Sequence, residues 1–154
     1  MELLPLKYIS YAITMQEVPD EVSLVINISG CPHKCEGCHS QYLSEYSGHF
    51  VKDDLDRLIN QYDGFISCIC FMGGDQNIKE LNELLKYIKE KYRLKTSIYS
   101  GSDDFNLFKD SLKYLDWLKI GSYKKELSCD DNFCYGVKLA TSNQKLYKKG
   151  IDYD

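Results

Sequence analysis

The chain has 154 residues, enough for one domain with a hydrophobic core. Hydrophobic residues make up 44% and charged residues 27%, which disfavours both a disordered chain and a membrane-spanning one. The net charge of -4 leaves no basic footprint, which argues against a nucleic-acid partner.

The N-terminal stretch Met1-Glu2-Leu3-Leu4-Pro5 lacks a basic segment followed by an apolar one, so no secretory signal is evident and a cytoplasmic location is expected. Seven cysteines are many for this length. Their odd number and the lack of an export signal argue against a disulfide framework, and three fall within eight residues. Metal binding or catalysis suits that clustering better.

In chain order, Leu6 to Val18 could supply an edge strand. Ser23 to Ser29 is a β-branched, apolar run that stops at Gly30. The cysteine-rich loop follows. Leu55, Leu58, Ile59 and Tyr62 then recur at helical spacing. Ile66 to Met72 reads as a second strand and ends at Gly73-Gly74. Ile78, Leu81, Leu85 and Ile88 mark a second helix, with Asn77 and Glu80 as its capping box. Thr96 to Ser100 is a third strand, Phe105, Phe108, Leu112 and Leu115 a third helix, and Trp117 to Ser122 a fourth strand. The tail from Cys129 gives no clear pattern. Strands alternating with helices predict a parallel sheet with helical crossovers. Ligands bind beyond the carboxyl ends of such strands. Those ends lead into Gly30-Cys31, Gly73-Gly74-Asp75, Ser100-Gly101 and Gly121-Ser122, so one rim is expected to gather all four.

Cys31-Pro32-His33-Lys34-Cys35-Glu36-Gly37-Cys38 has the spacing C-x3-C-x2-C. Three thiolates in a short loop suit an iron–sulfur cluster or zinc. A structural zinc site is usually closed by four ligands, and no fourth cysteine stands at a matching short spacing. A zinc site completed by His33, His39 or a distant cysteine stays open as a non-enzymatic alternative, as does an electron-transfer protein that uses a cluster alone. Cys68 and Cys70, two apart in a strand, read as small buried hydrophobes. Cys129 and Cys134 are open between an auxiliary metal site, a redox pair and two unpaired thiols. His33, His39 and His49 show no dyad pattern.

The cysteine spacing matches the signature of the radical-SAM superfamily. Cys31 to Ser40 (CPHKCEGCHS) resembles the small activating proteins of anaerobic (class III) ribonucleotide reductase. The resemblance extends through Glu17 to Val22, Asn27 to Gly30, Cys70 to Asp75, Ile98 to Gly101 and Thr141 to Tyr147. It implies a 4Fe-4S cluster on Cys31, Cys35 and Cys38, with one iron left open to chelate S-adenosylmethionine. Reductive cleavage would then yield a 5′-deoxyadenosyl radical, which would make a glycyl radical on the large reductase subunit. The electron would come from a donor such as flavodoxin or ferredoxin. Activation of another glycyl-radical enzyme is the runner-up enzymatic reading.

The same resemblance assigns cofactor contacts. Gly37, Cys38 and His39 would meet the adenine, and Gly73, Gly74 and Asp75 the methionine amino group. Ser100 and Gly101 would meet the methionine or ribose, and Lys119 the methionine carboxylate. Gly37 replaces the aromatic residue common before the third cysteine, and Gln76 stands where relatives often have proline. Ser142-Asn143-Gln144 resembles a tail element that shapes the site or meets the reductase. The fold implied is a single radical-SAM domain over residues 1–154. At this length it would be a partial, open parallel β/α barrel whose open side admits a protein substrate.

Overall fold

The computed structural model describes residues 3–30 and 45–154, and every structural statement below concerns those residues. The cysteine-loop residues Cys31, Cys35, Gly37, Cys38 and His39 lie outside the described residues, as does His33.

Strands β1 (Lys7–Thr14), β2 (Ser23–Ile28) and β3 (His49–Phe50) lead to helix α1 (Val51–Gln61). Strand β4 (Cys68–Met72), helix α2 (Ile78–Lys91), β5 (Lys95–Tyr99) and β6 (Trp117–Ile120) follow. The tail holds a hairpin, β7 (Phe133–Cys134) with β8 (Val137–Lys138), and a last strand, β9 (Lys145–Lys148). The described residues form a seven-stranded sheet in the order β3-β1-β2-β4-β5-β6-β9. β2, β4, β5 and β6 are parallel neighbours in chain order, while β1, β3 and β9 run antiparallel to their neighbours. The architecture is mixed α/β, with the expected parallel core. Strand order never reverses, so crossovers of one hand place the helices on one face of the sheet.

Side-chain alternation along the strands builds two cores. Leu24, Ile26, Ile28, Ile69, Phe71, Ile98, Leu118 and Ile120 pack with Leu55, Leu58, Leu81, Leu85 and Ile88 of the helices. On the opposite face, Val25, Cys68, Cys70, Tyr99 and Trp117 pack with Val18, Val137, Leu139 and Leu146. The β1–β2 connection and the tail hairpin thus cover the amino end of the second face.

Three local expectations change. The third helix is two short 3-10 turns, Phe105–Phe108 and Leu112–Tyr114. Asp104 caps the first through Asn106 N at 3.0 Å, and the Ser111 hydroxyl, buried on Asn82 Oδ1, holds the segment between them. Such polar groups compete with the i to i+4 ladder. The apolar spacing still works, since Phe108 and Leu115 are fully buried. Half of the α2 capping box forms: Glu80 N donates to Asn77 Oδ1 at 3.1 Å. The Glu80 carboxylate turns away and accepts Leu6 N at 2.6 Å, which ties the N-terminal strap to α2. The first strand is an edge only in part, because β3 pairs outside Lys7 and Tyr8 but not outside Ser10 to Thr14.

Candidate functional site

The carboxyl ends of the four parallel strands share one rim, as their sequence pattern predicts, and hydrogen bonds join its segments. Ser29 lies just before the cysteine loop and Ser47 just after it. The Ser29 hydroxyl donates to Ser47 O at 2.6 Å and accepts Ser47 N at 3.0 Å, so the two ends of the loop are clasped together. Gln76 Nε2 donates to Ser29 O at 2.7 Å, fastening that clasp to the turn after β4. Asp75 in that turn accepts the Ser100 hydroxyl, and Ser100 Oγ in turn accepts Ser102 N at 2.9 Å. Gly121 N donates to Ser102 O at 2.7 Å, which brings in the end of β6.

Backbone shape is specified at two points along this rim. Gly73 and Gly74 hold φ of +96° and +103°, conformations that suit glycine; Gly73 is half-buried, while Gly74 is buried against Leu81. Gly121 holds φ of +122°, and a Cβ there would lie 2.7 Å from Gln144 Cα. The Ser142-Asn143-Gln144 tail element therefore docks against the end of β6. Gln144 Nε2 reaches Gly121 O at 3.3 Å, and Asn143 Nδ2 reaches Ser122 O at 2.9 Å. Asp103 accepts both the backbone N and the hydroxyl of Ser122 at 3.0 Å. These bonds, the backbone one foremost, hold its carboxyl below the usual range.

Below the rim, the sheet face opposite the helices offers a polar row. Cross-strand register aligns Asn27, Met72, Tyr99, Lys119 and Leu146, with Val25, Cys70, Ser97 and Trp117 in the row beneath. The Lys119 ammonium stands 5.2 Å from the centroid of the Tyr99 ring, so it belongs to this half-buried face rather than to bulk solvent. The Tyr99 hydroxyl is buried and has no hydrogen-bond partner among the described residues. Burial above all raises the Tyr99 phenol, so the hydroxyl stays protonated and can donate. Cys68 and Cys70 are fully buried, with burial pushing the Cys68 thiol up to about 12 and the Cys70 thiol well above its ordinary value. They are core residues, as read from sequence.

Of the sequence candidates, Gly73, Gly74, Asp75, Ser100 and Gly101 lie together on the rim, with Lys119 on the face below. Asp75 and Ser100 touch. Cys129 and Cys134 are both free thiols. Cys129 lines a surface hollow of about 550 Å³ with Tyr123, Asp130 and Lys138, while Cys134 packs against the second core. Among the described residues no group of three or more His, Cys, Asp or Glu is arranged to hold a metal. His49 sits in β3, its ring 5.9 Å from that of Tyr8. Ser29, Ser47, Gln76 and Ser102 were missed from sequence, because single polar residues in loops carry no spacing signal. The one trace was Gln76 in place of proline, whose side chain makes the bond from the loop clasp to the β4 turn. Among the described residues no helix is long and apolar enough to cross a membrane.

This arrangement offers a carboxylate, an ammonium and hydroxyls near the clasped residues that flank the cysteine segment. Comparison with known proteins is consistent with such a centre. A curated relative, the anaerobic ribonucleoside-triphosphate reductase-activating protein of Enterobacteria phage T4, is 28% identical over 113 residues, 68% of this chain and 72% of the relative. No solved structure matches the chain. The family model described as a 4Fe-4S single cluster domain matches residues 21–146, from just before β2 into β9. With that span covering most of its length, the chain belongs to the 4Fe-4S single cluster domain family.

Proposed function

We propose that the chain is a radical-SAM activase of anaerobic ribonucleoside-triphosphate reductase, with Cys31, Cys35 and Cys38 holding its cluster. The observation that carries this reading is the hydrogen-bonded rim: the clasped base of the cysteine loop is joined through Gln76 to the Gly73-Gly74-Asp75 turn, and that turn through Ser100 to the next strand. The family match and the phage relative's printed activity support the cluster and the target.

The residues present fit S-adenosylmethionine. An amino acid zwitterion needs an acceptor for its ammonium and a cation for its carboxylate. Asp75 provides the first and Lys119 the second, on neighbouring parts of one rim and face. Gly73, half-buried and without a side chain, permits close approach of a ligand to the backbone. Ser100 holds the Asp75 carboxylate in place, and Ser102 N fixes Ser100. Gly101 lies between them, just past the end of β5. Gly37, Cys38 and His39 are assigned to the adenine. When bound, the cluster and S-adenosylmethionine supply one-electron reductive cleavage and the hydrogen-abstracting radical that produces a glycyl radical on the reductase. The protein's share is to orient the groups and exclude water. The second core contributes to that by filling the amino end of the face with Val18, Trp117, Val137 and Leu139.

The same reading takes the sheet as a partial barrel. Parallel strands in chain order with helices on one side are the arrangement a β/α barrel uses, and on this reading the short chain would leave a side open for the large reductase subunit. A low-potential carrier such as flavodoxin or ferredoxin would supply the electron.

The test is anaerobic. The protein is reconstituted with iron and sulfide, reduced, and given S-adenosylmethionine, with 5′-deoxyadenosine as the readout. Cys35→Ala is run in parallel. Product in the wild type and none in the variant supports the reading, and a glycyl-radical signal on added reductase identifies the target. Purified protein that carries zinc, takes up no cluster and yields no product would overturn it.

A further inference from the structure

The buried hydroxyls of Ser29, Thr96 and Ser111 donate to Ser47 O, Tyr114 O and Asn82 Oδ1. The hydroxyl of Tyr99 has no such acceptor. Tyr99 is only 5% exposed, and no group among the described residues bonds its oxygen. It belongs to the second core with Val25, Cys70, Trp117 and Leu146, where a phenylalanine would fill the same space without a polar atom. A buried polar group left unpaired costs stability, so its presence asks for a partner that arrives from outside the chain.

The place of Tyr99 in the sheet narrows the choice of partner. It is the last residue of β5, in register with Met72 of β4 and Lys119 of β6. Its carbonyl accepts Gly73 N at 2.9 Å, and the N–H of the next residue, Ser100, donates to Lys119 O at 2.9 Å. The end of β5 therefore lies between the Gly73-Gly74-Asp75 turn and Lys119. Those are the groups assigned to the ammonium and the carboxylate of bound S-adenosylmethionine. The ligand carries both charges on one carbon, so that carbon belongs over β5. The Lys119 ammonium stands 5.2 Å from the centroid of the Tyr99 ring, and a carboxylate that meets the lysine is brought to the phenol as well.

We propose that the Tyr99 hydroxyl donates a hydrogen bond to the carboxylate of bound S-adenosylmethionine, beside Lys119, and so selects ligands that carry an intact amino-acid end. The inference rests on the radical-SAM reading above. A carboxylate has lone pairs enough for both donors. Burial keeps the phenol protonated, so it is a donor at any working pH. The same hydroxyl is thus a defect in the empty protein and a contact in the loaded one. That pairing of effects separates a ligand contact from a structural bond, which would stabilise the empty protein.

Tyr99→Phe is the test, because it removes one oxygen and leaves the ring. Wild type and variant are reconstituted with the cluster and kept oxidised, so that no cleavage occurs. Without ligand, the variant should melt at or above the wild-type temperature, since an unpaired buried group has been removed. In isothermal titration calorimetry it should bind S-adenosylmethionine roughly 10- to 100-fold more weakly, the range for a hydrogen bond to a charged group. Decarboxylated S-adenosylmethionine should bind wild type and variant alike. A variant that melts lower without ligand has lost a bond within the fold, and that result overturns the proposal. Equal affinity for S-adenosylmethionine overturns it too, as does an equal loss for both ligands. Wild type that takes up its cluster but binds no S-adenosylmethionine removes this proposal together with the radical-SAM reading. Wild type that binds, with Tyr99→Phe unchanged, removes this proposal alone.

Discussion

Replacing Gly121 by alanine tests whether the tail is part of the rim. Gly121 holds φ of +122°, and the added Cβ would come within 2.7 Å of Gln144 Cα and 2.9 Å of Gln144 Cγ. The nearer atom is backbone, so rotamer change cannot relieve the contact, and residues 141–144 must shift away. Gly136, in the tail hairpin, serves as the control. Its φ is +85° and a Cβ there meets nothing within 4 Å. An L-residue in a left-handed conformation costs about 1–2 kcal/mol, which is the whole expectation for Gly136→Ala. Gly121→Ala adds an overpacking cost of roughly 1–3 kcal/mol. At this chain length 1 kcal/mol moves Tm by about 2–4 °C, so the two variants should melt roughly 2–12 °C apart, with Gly121→Ala the lower. Differential scanning calorimetry of wild type and both variants measures this directly. Identical melting of the two variants would refute the idea that Gln144 is packed onto the rim at Gly121.

Other outcomes follow from contacts described above. Glu80→Ala leaves the amide of fully buried Leu6 without its acceptor and should cost about 1–3 kcal/mol in urea unfolding, while Glu80→Gln should recover part of that. The Tyr8 hydroxyl donates to Asp54 at 2.6 Å, and this bond leads the causes that hold the Asp54 carboxyl below its ordinary value. A lowered folded pKa stabilises above the unfolded carboxyl value, near pH 4, and that contribution is lost as pH falls through the folded pKa. The stability gap between wild type and Tyr8→Phe should therefore narrow below about pH 4, as chemical denaturation across pH would show. Burial, with the Asp54 bond behind it, raises the Tyr8 phenol to about 12, so its contribution is present below the unfolded phenol value, near pH 10, and fades as pH rises through 12. Alkylation of the native protein followed by peptide mass spectrometry should leave Cys68 and Cys70 unmodified until denaturant is added, since both are fully buried with raised thiols.

Much of this molecule is legible from residue order, and the parts that are not share a cause. The parallel strands were visible because their β-branched runs are buried and end in glycine, and α2 because Leu81, Leu85 and Ile88 repeat at helical spacing. Periodicity reports which side chains are buried without reporting the backbone that buries them. Phe105, Phe108, Leu112 and Leu115 were thus read as an α-helix, where Asp104 and Ser111 break the ladder into 3-10 turns. The tail was opaque for a different reason. Its hairpin turns at Tyr135-Gly136, with positive φ at both residues, and a tyrosine at the first position lacks the asparagine or aspartate that usually marks such a turn. At the rim, the segments ending each strand could be read, but the bonds between them could not. Gln76 to Ser29 and Ser29 to Ser47 join residues 47 and 18 positions apart, through side chains common in any loop.

The Ser29–Ser47 clasp also changes where the work of cluster assembly falls. Bringing together the ends of a free segment of this length costs about 2.5 kcal/mol in the length-dependent part of closure entropy alone. Here the sheet and the N-terminal strap hold those ends, so iron binding does not have to supply that ordering. A zinc finger spends its metal affinity on folding. This protein is expected to keep its fold when chelation bleaches the cluster, with its melting curve little moved. Oxidative loss of iron is then expected to be a local injury that leaves the sheet folded.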